Sequence, residues 1–396
     1  MNGSIVTLLA HAMFGANAGR EWAIAAAVVV ACVLVLFVIA VPFASIVTWV
    51  ERRVWARIQS RVGPNRVGPN GFLQWLADGV KHVCKEDVIP DEADAPLFKL
   101  APYLVVLAFI LPWAAMPFSS DLILADLNIG ILYVTAITAL TVVGVLMAGW
   151  SSNNKWSLIG GIRSAAQIIS YEIPAGLSIF PAVLMTGTLS MQELIRAQAW
   201  EPYHWFIFAN PFCFAAAIIL FVSSLAENNR TPFDLPEAES ELVAGFATEY
   251  SSMRYLFFFM AEWGNMFIAA AIIVTLYLGG WQFPQFDLSP TVMNLLQFIT
   301  FLVKVLVLVF VSMWIRGTLP RVRIDQMMSI CWKYFVPLGF IDMIGTAVWV
   351  AFFPQGNRIM EFVMFALGIA IVIAFGWRVV HFTRRARMEL YFHPTI

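Results

Sequence analysis

An all-α, polytopic membrane protein with about nine spanning helices and one interfacial amphipathic helix is the fold class that three observations predict for this chain. Sixty per cent of its 396 residues are apolar and only 12% are charged, whereas a soluble domain carries roughly 25% charged residues. Mean hydropathy is +0.78 over the whole length, more apolar surface than a water-facing globule can hide. Apolar runs near the roughly 20 residues needed to cross a bilayer recur from end to end.

The first twenty residues hold a short apolar run at 5–9 and an Ala-Asn-Ala step at 16–18, but no basic start. They read as a retained amino-terminal arm rather than a cleaved signal. Spanning segments are expected near 22–50, 100–118, 130–150, 165–186, 206–226, 253–278, 296–315, 334–353 and 358–381. Pro102, Pro112 and Pro117 interrupt the second of these, which a membrane helix tolerates when neighbours satisfy the freed carbonyls. The whole chain, 1–396, is expected to form one integral membrane domain.

Lys and Arg set the orientation. Twenty of the 24 fall in the loops 51–99, 151–165, 227–254 and 316–333 and in the tail from Arg378, while Arg20, Arg196 and Arg358 lie opposite and Lys304 lies within a helix. The basic side is cytoplasmic by the positive-inside rule. Nine spans then place the amino terminus outside and the carboxyl terminus in the cytoplasm.

Four scattered cysteines, Cys32, Cys84, Cys213 and Cys331, and five scattered histidines show no ligand spacing. A metal, haem or iron-sulfur site on this chain alone is not expected.

Two loops carry the chemistry. In 51–99, doubled Gly-Pro-Asn steps at 63–65 and 68–70 predict tight turns. After Phe72, the apolar residues Leu73, Leu76, Val80 and Val83 follow a 3,4,3 spacing, with Gln74, Asp78, Lys81, His82 and Lys85 elsewhere on the wheel. This is the pattern of an amphipathic helix lying in the membrane interface. The loop 227–254 is acid-rich where cytoplasmic loops are usually basic. Thr231, Pro232 and Asp234 read as a helix start, and Asp234 with Glu237 repeats the capping pattern. Glu237 and Glu241 would share a helix face, with Glu239 pointing elsewhere. Six acids against two arginines in this loop are costly near a low-dielectric boundary unless paired or protonated. Asp234 alone has a second reading as a simple cap.

Ionisable residues also fall at membrane depth: Glu172, Glu262, Asp342 and Lys304. Each costs about 2.5 to 3.5 kcal/mol on an insertion scale and by default marks an ion or proton path, although a Lys paired to an acid could be a structural bridge.

With these residues in place the chain resembles the H subunit of bacterial NADH-quinone oxidoreductase, the counterpart of subunit 1 of mitochondrial complex I. The runs that carry the resemblance are GFLQWLADGVK at 71–81 and PFDLPEAESELVAG at 232–245, supported by VERR at 50–53, RVGPN at 61–65, AENNR at 226–230, AEW at 261–263 and WIRGTLPRVRIDQ at 314–326. The segment 358–381 is an addition to the shorter mitochondrial form, which points to a bacterial inner-membrane version.

The resemblance implies a proton-pumping NADH:quinone oxidoreductase in which this subunit forms much of the quinone-access cavity. Electrons arrive from partner subunits that hold FMN and iron-sulfur clusters, so quinone is a substrate here and no cofactor is bound by this chain alone. Other implied partners are the soluble quinone-module subunits, small and antiporter-like membrane subunits and lipid, with no nucleic acid. Glu172, Glu227, Asp234, Glu237, Glu239, Glu249 and Glu262 are the implied proton-coupling residues. Glu51, Arg52, Glu86, Arg230, Arg316 and Arg321 are the implied residues in or near the quinone cavity.

Three rivals stand beside this reading: a same-family subunit of a membrane-bound hydrogenase-like complex, a free-standing secondary transporter and a passive anchor. The transporter reading lacks repeated halves with matching broken helices.

Overall fold

A computed structural model describes residues 30, 41–236, 242–284, 286, 289–353 and 356–392. Among these residues the regular structure is helical throughout, with no strand. The amino-terminal arm, most of the first expected span and the acidic residues Glu237, Glu239 and Glu241 lie outside the described residues.

Helix α1 (Val41–Ile58) leads through bends and one 3-10 turn at Pro69–Gly71 to the short α2 (Gln74–Cys84). Of the two expected Gly-Pro-Asn turns only the second has this geometry, with Gly68 at φ 71° and Asn70 at φ 54°, positive-φ positions that Gly and Asn tolerate, while 63–65 forms a bend without a hydrogen-bonded turn. Next come α3 (Ala95–Ile110), α4 (Gly130–Thr138), α5 (Leu140–Ser151), α6 (Lys155–Thr186), α7 (Met191–Arg196), α8 (Phe206–Ala209) and α9 (Pro211–Glu227). The chain finishes with α10 (Ser252–Tyr277), α11 (Pro290–Thr318), α12 (Ile324–Ser329), α13 (Val336–Phe352) and α14 (Arg358–Phe392). Among the described residues, six stretches are long and apolar enough to cross a membrane: Ala95–Ala115, Gly130–Ser151, Lys155–Thr186, Ser252–Tyr277, Pro290–Thr318 and Ile324–Phe352. The 17-residue α9 is a shorter apolar helix.

Several boundaries differ from the sequence expectation for physical reasons. Helix α6 starts ten residues before the expected 165, because the Asn154 side chain accepts from the Trp156 amide and caps it there. Its 32 residues extend about 48 Å, well beyond a hydrocarbon core of about 30 Å, so Lys155 and Arg163 ride on turns that project into the polar region. The expected 206–226 span breaks at Asn210, whose side chain caps α9 through the Cys213 amide at 2.6 Å.

The helix expected to start at Thr231 is not formed over 231–236, which is turn. Phe233 and Leu235 are buried against Tyr171 and Met327, and the Gln167 amide nitrogen donates to the carbonyls of Ala226 and Phe233, each at 2.8 Å. Those contacts hold 231–236 against the bundle as turn, and among the described residues helix is next found at Leu242.

Helix α10 is the most enclosed of these six stretches. Trp113 of the turn after α3 stacks on Phe267 at 4.9 Å, and Phe98 stacks on Tyr250 at 4.0 Å just before α10 begins. The other long helix of the centre, α6, packs against α5, α9 and α13. It approaches its neighbours through small residues, the usual means of close helix contact in lipid. A Cβ on Gly161 would sit 3.1 Å from the Gly149 Cα, and one on Gly160 would sit 2.6 Å from the Gly245 Cα.

Lys304 has no acid partner among the described residues. Its ammonium donates to the carbonyls of Leu278 at 2.7 Å and Gly280 at 3.0 Å and lies 4.4 Å from the Trp205 ring centre. It satisfies backbone groups left open at the carboxyl end of α10, where a cation also meets the helix dipole favourably.

Replacing Gly160 by Ala forces the new methyl into backbone rather than a yielding side chain, so the α6 contact with 245–247 must open. We expect markedly less assembled protein on native gels of membranes carrying Gly160→Ala. Gly176→Ala, whose methyl meets nothing within 4 Å, should assemble at the wild-type level.

Candidate functional site

Helix α9 ends in a Schellman closure. Asn229 takes φ 49°, its amide bonds to the Ala226 carbonyl at 3.1 Å, and the Arg230 amide bonds to the Leu225 carbonyl at 3.0 Å. The Asn229 side chain donates to Ser164 on α6 at 3.2 Å. The reversal turns Arg230 back into the bundle, where only 2% of it is exposed.

Arg230 then meets residues of two other elements. Its Nη1 lies 3.5 Å from Glu51 Oε1 on α1 and its Nε lies 3.0 Å from Glu262 Oε1 on α10. Its guanidinium carbon sits 3.9 Å above the ring of Trp263, the next residue of α10. Arg230 Nε makes no aligned hydrogen bond, so the contact with Glu262 is an ion pair held by charge. Glu51 also accepts from Arg316 Nη1 of α11 at 2.9 Å, and Arg316 lies 4.4 Å from the Trp55 ring centre. The group is neutral when all four are ionised: two arginines against two glutamates, drawn from positions as far apart as 51 and 316.

A cavity of 510 Å³ opens beside this network, between α2, the inner part of α1 and α10. Thr48, Arg52, Asp78, Lys81, His82 and Tyr255 supply its polar groups, and Trp75, Phe259 and Trp263 supply apolar wall. Arg52 donates to Asp78 at 2.5 Å, and Asp78 is braced by Gln74 at 2.9 Å. Helix α2 has the expected amphipathic form, and its apolar residues stay uncovered within the chain: Leu76 is 48% exposed and Val83 64%. The loop is pinned to the start of α10 by Ser252 Oγ donating to the His82 carbonyl at 3.0 Å, by Ser251 Oγ donating to the Glu86 carbonyl at 3.1 Å and by an Arg254–Asp87 pair at 3.1 Å. The side chain of Glu86 is itself exposed. Burial of the His82 ring, then the nearby Lys81 and Lys85, hold its pKa below the usual imidazole value.

A second cavity, of 370 Å³, lies between α4, α5, α6, α9 and α10. Glu172 and Glu227 both face it, together with Thr141, Ser224, Asn228 and Asn265. Asp234 stays apart from both cavities and pairs with Arg321 at 3.1 Å. Burial pushes its carboxyl above the usual aspartate value even though Arg321, Arg316 and Arg230 pull the other way. Glu249 accepts from Asn154 at 2.6 Å and so braces the cap of α6. Asp342 is buried in α13, with Oδ2 lacking a hydrogen-bond partner.

Of the thirteen expected site residues, seven lie in the Arg230 network or line one of the two cavities (Glu51, Arg52, Glu172, Glu227, Arg230, Glu262 and Arg316), while Asp234 paired with Arg321, and Glu249, are bonded outside them. Glu86 contributes only its backbone, and Glu237 and Glu239 lie outside the described residues. Sequence reasoning used Asp78 only as a polar wheel position and missed Trp263 as a platform and Asn228 and Asn265 as cavity polar groups. A signal for Asp78 was present: Gln74 lies four residues before it, one helical turn away on the same face.

Arg230→Met should leave Glu51 and Glu262 buried beside one remaining arginine. We expect a stability loss of about 3–5 kcal/mol, read as reduced yield and a lower thermal midpoint of the assembled protein. His82 generates a pH prediction with a definite sign. Its folded value lies below the ordinary 6.5, so its contribution is complete above that pH and is lost as pH falls below it. Hydrogen exchange over α2, corrected for intrinsic rate, should accelerate below pH 6.5 in the wild type and much less in His82→Gln.

A family model described as NADH dehydrogenase matches residues 30–347. Among relatives, the H subunit of the NADH-quinone oxidoreductase of Anaeromyxobacter dehalogenans is 50% identical over 373 residues, covering 89% of each chain. The like-named protein of Chlorobaculum tepidum is 46% identical over 76% of this chain and 86% of its own, and that of Dehalococcoides mccartyi is 44% identical over 87% and 91%. Over most of its length the chain is thus similar to proteins of one name, and it belongs to the NADH dehydrogenase family, among the H subunits of NADH-quinone oxidoreductases.

Proposed function

We propose that this membrane subunit of an NADH-quinone oxidoreductase admits quinone through the cavity under α2 and converts quinone reduction into proton movement through the Arg230 network. One observation carries the reading: Trp263 forms a wall of the 510 Å³ cavity and at the same time bears Arg230 at 3.9 Å. A molecule resting on that ring is one side chain away from a neutral, largely buried set of charges.

The cavity has the volume and lining of a small-molecule site, mostly apolar with a few converging polar groups. Its opening beside the uncovered apolar face of α2 suits a substrate that arrives from lipid. Arg52 and Asp78 offer a donor and an acceptor to a polar head, and Trp75 and Phe259 offer surface to an apolar tail. Electrons reach the substrate from partner subunits.

Negative charge gained by the substrate near Trp263 attracts Arg230 and weakens its hold on Glu262 and Glu51. A carboxylate released from its cation in a low-dielectric site is relieved by taking a proton. Arg230 follows Glu227 by three residues on the same helix end, and Glu227 shares the second cavity with Glu172. A proton taken up at the network therefore has two further carboxyls to move between, with Asn228 and Asn265 beside them. The lysines and arginines of the loops favour the cytoplasm for the side on which soluble partner subunits dock.

Glu262→Gln and Glu227→Gln in the assembled complex should each lower NADH-driven quinone reduction and proton pumping by about tenfold or more. Electron transfer from NADH to a water-soluble acceptor, which bypasses this subunit, should stay at the wild-type rate. A photoreactive quinone analogue should label α2 and α10, and Trp263→Leu should raise the KM for quinone. Wild-type pumping in both glutamine variants would overturn the coupling role.

A further inference from the structure

We propose that a basic cavity at the inner end of α1 and α11 binds the phosphate headgroup of an anionic phospholipid. The cavity measures 820 Å³ and is lined chiefly by Arg53, Arg57, Arg61, Ile58, Phe310 and Trp314, with no acidic residue among its lining. It lies apart from Arg52, Asp78 and Trp263 and shares no lining residue with the quinone cavity.

The three arginines are brought together by backbone geometry. Arg53 and Arg57 stand one turn apart on α1. The helix closes with Ser60 at φ 54° and with the Arg61 amide bonded to the Ala56 carbonyl at 2.7 Å, which folds Arg61 back beside the helix end. Arg53 donates to the Asn70 carbonyl at 2.5 Å. The side chains of Arg57 and Arg61 have no hydrogen bond or ion pair among the described residues, whereas Arg52, Arg230, Arg254, Arg316 and Arg321 are each paired with a carboxylate. The carboxyl end of α1 presents about half a negative charge, far short of balancing three guanidinium groups.

The apolar half of the site selects a lipid over a soluble anion or an acidic protein surface. Phe310 lies in the cavity wall, and from it Val307 and Val303 continue along the outer face of α11, 47%, 55% and 53% exposed respectively. A phosphate held among the arginines leaves its acyl chains beside this stripe. Guanidinium groups recognise phosphate oxygens in paired, charge-assisted hydrogen bonds, and basic clusters at the membrane boundary attract anionic headgroups.

The test uses the whole assembled complex. After delipidation, native mass spectrometry should show phosphatidylglycerol retained by the wild type, and the double variant Arg57→Gln/Arg61→Gln should bind it about thirtyfold more weakly, equivalent to about 2 kcal/mol. Phosphatidylcholine should not substitute, and inorganic phosphate should not displace the lipid. A photoactivatable phosphatidylglycerol should crosslink the unmutated complex within 53–63 or 303–314, a readout that does not depend on how the variant assembles. Equal retention by wild type and double variant, equal binding of phosphatidylcholine, displacement by phosphate alone or crosslinks elsewhere would each overturn the proposal.

Discussion

The burial of one guanidinium constrains much of this molecule. Arg230 is almost without solvent contact, and a charge so placed costs several kcal/mol unless it is paired. Its pairs come from α1 through Glu51 and from α10 through Glu262, and Arg316 of α11 is drawn in because Glu51 has a second lone pair to fill. Each of these helices must therefore present one particular face inward. Hydrophobic matching alone would not impose this, because lipid tails are as apolar as the side chains they replace.

Around that centre the polar side chains divide into those that hold backbone and those left facing space. Lys304 closes the end of α10, Glu249 braces the Asn154 cap, and Gln198 bonds to the carbonyls of Thr275 and Leu276 while accepting from the Phe206 and Gly279 amides. These groups are satisfied by fixed partners, so moving them would leave backbone dipoles unpaired in the bilayer. Glu172 and Glu227 instead face a cavity. A carboxyl with room beside it can exchange a proton without unmaking a helix end, which separates an acid that can carry protons from one that serves as mortar.

How much of this was legible follows from the range of the interactions. The 3,4,3 spacing of Leu73, Leu76, Val80 and Val83 is local, and α2 forms where that spacing puts it. The turns at Gly68 and Asn70 are local too. The segment after Thr231 carries an equally local capping pattern and yet is turn over 231–236, where Gln167 reaches across from α6 to hold the Phe233 carbonyl. The pairing of Glu51 with Arg316 joins residues 265 apart in sequence, and nothing in either neighbourhood announces it. AENNR is recognisable as a motif, but its physical meaning emerges only in the fold: the second Asn supplies the left-handed residue that turns the Arg inward.

On the proposed reading, the network answers a new charge through its nearest member. Two arginines and two glutamates cancel in net charge, yet Arg230 alone stands on the Trp263 ring, so a charge placed across that ring meets this guanidinium first. A negative charge placed about 8 Å away across Trp263 interacts with a unit charge of the network by about 2 kcal/mol at an effective dielectric of about 20. Bulk water would reduce that to about 0.5 kcal/mol, below thermal significance. The exclusion of water that makes Arg230 costly to bury is thus what the proposed response to a neighbouring charge depends on. Strength and sensitivity here come from the same desolvation, and a better-solvated arginine would serve neither purpose.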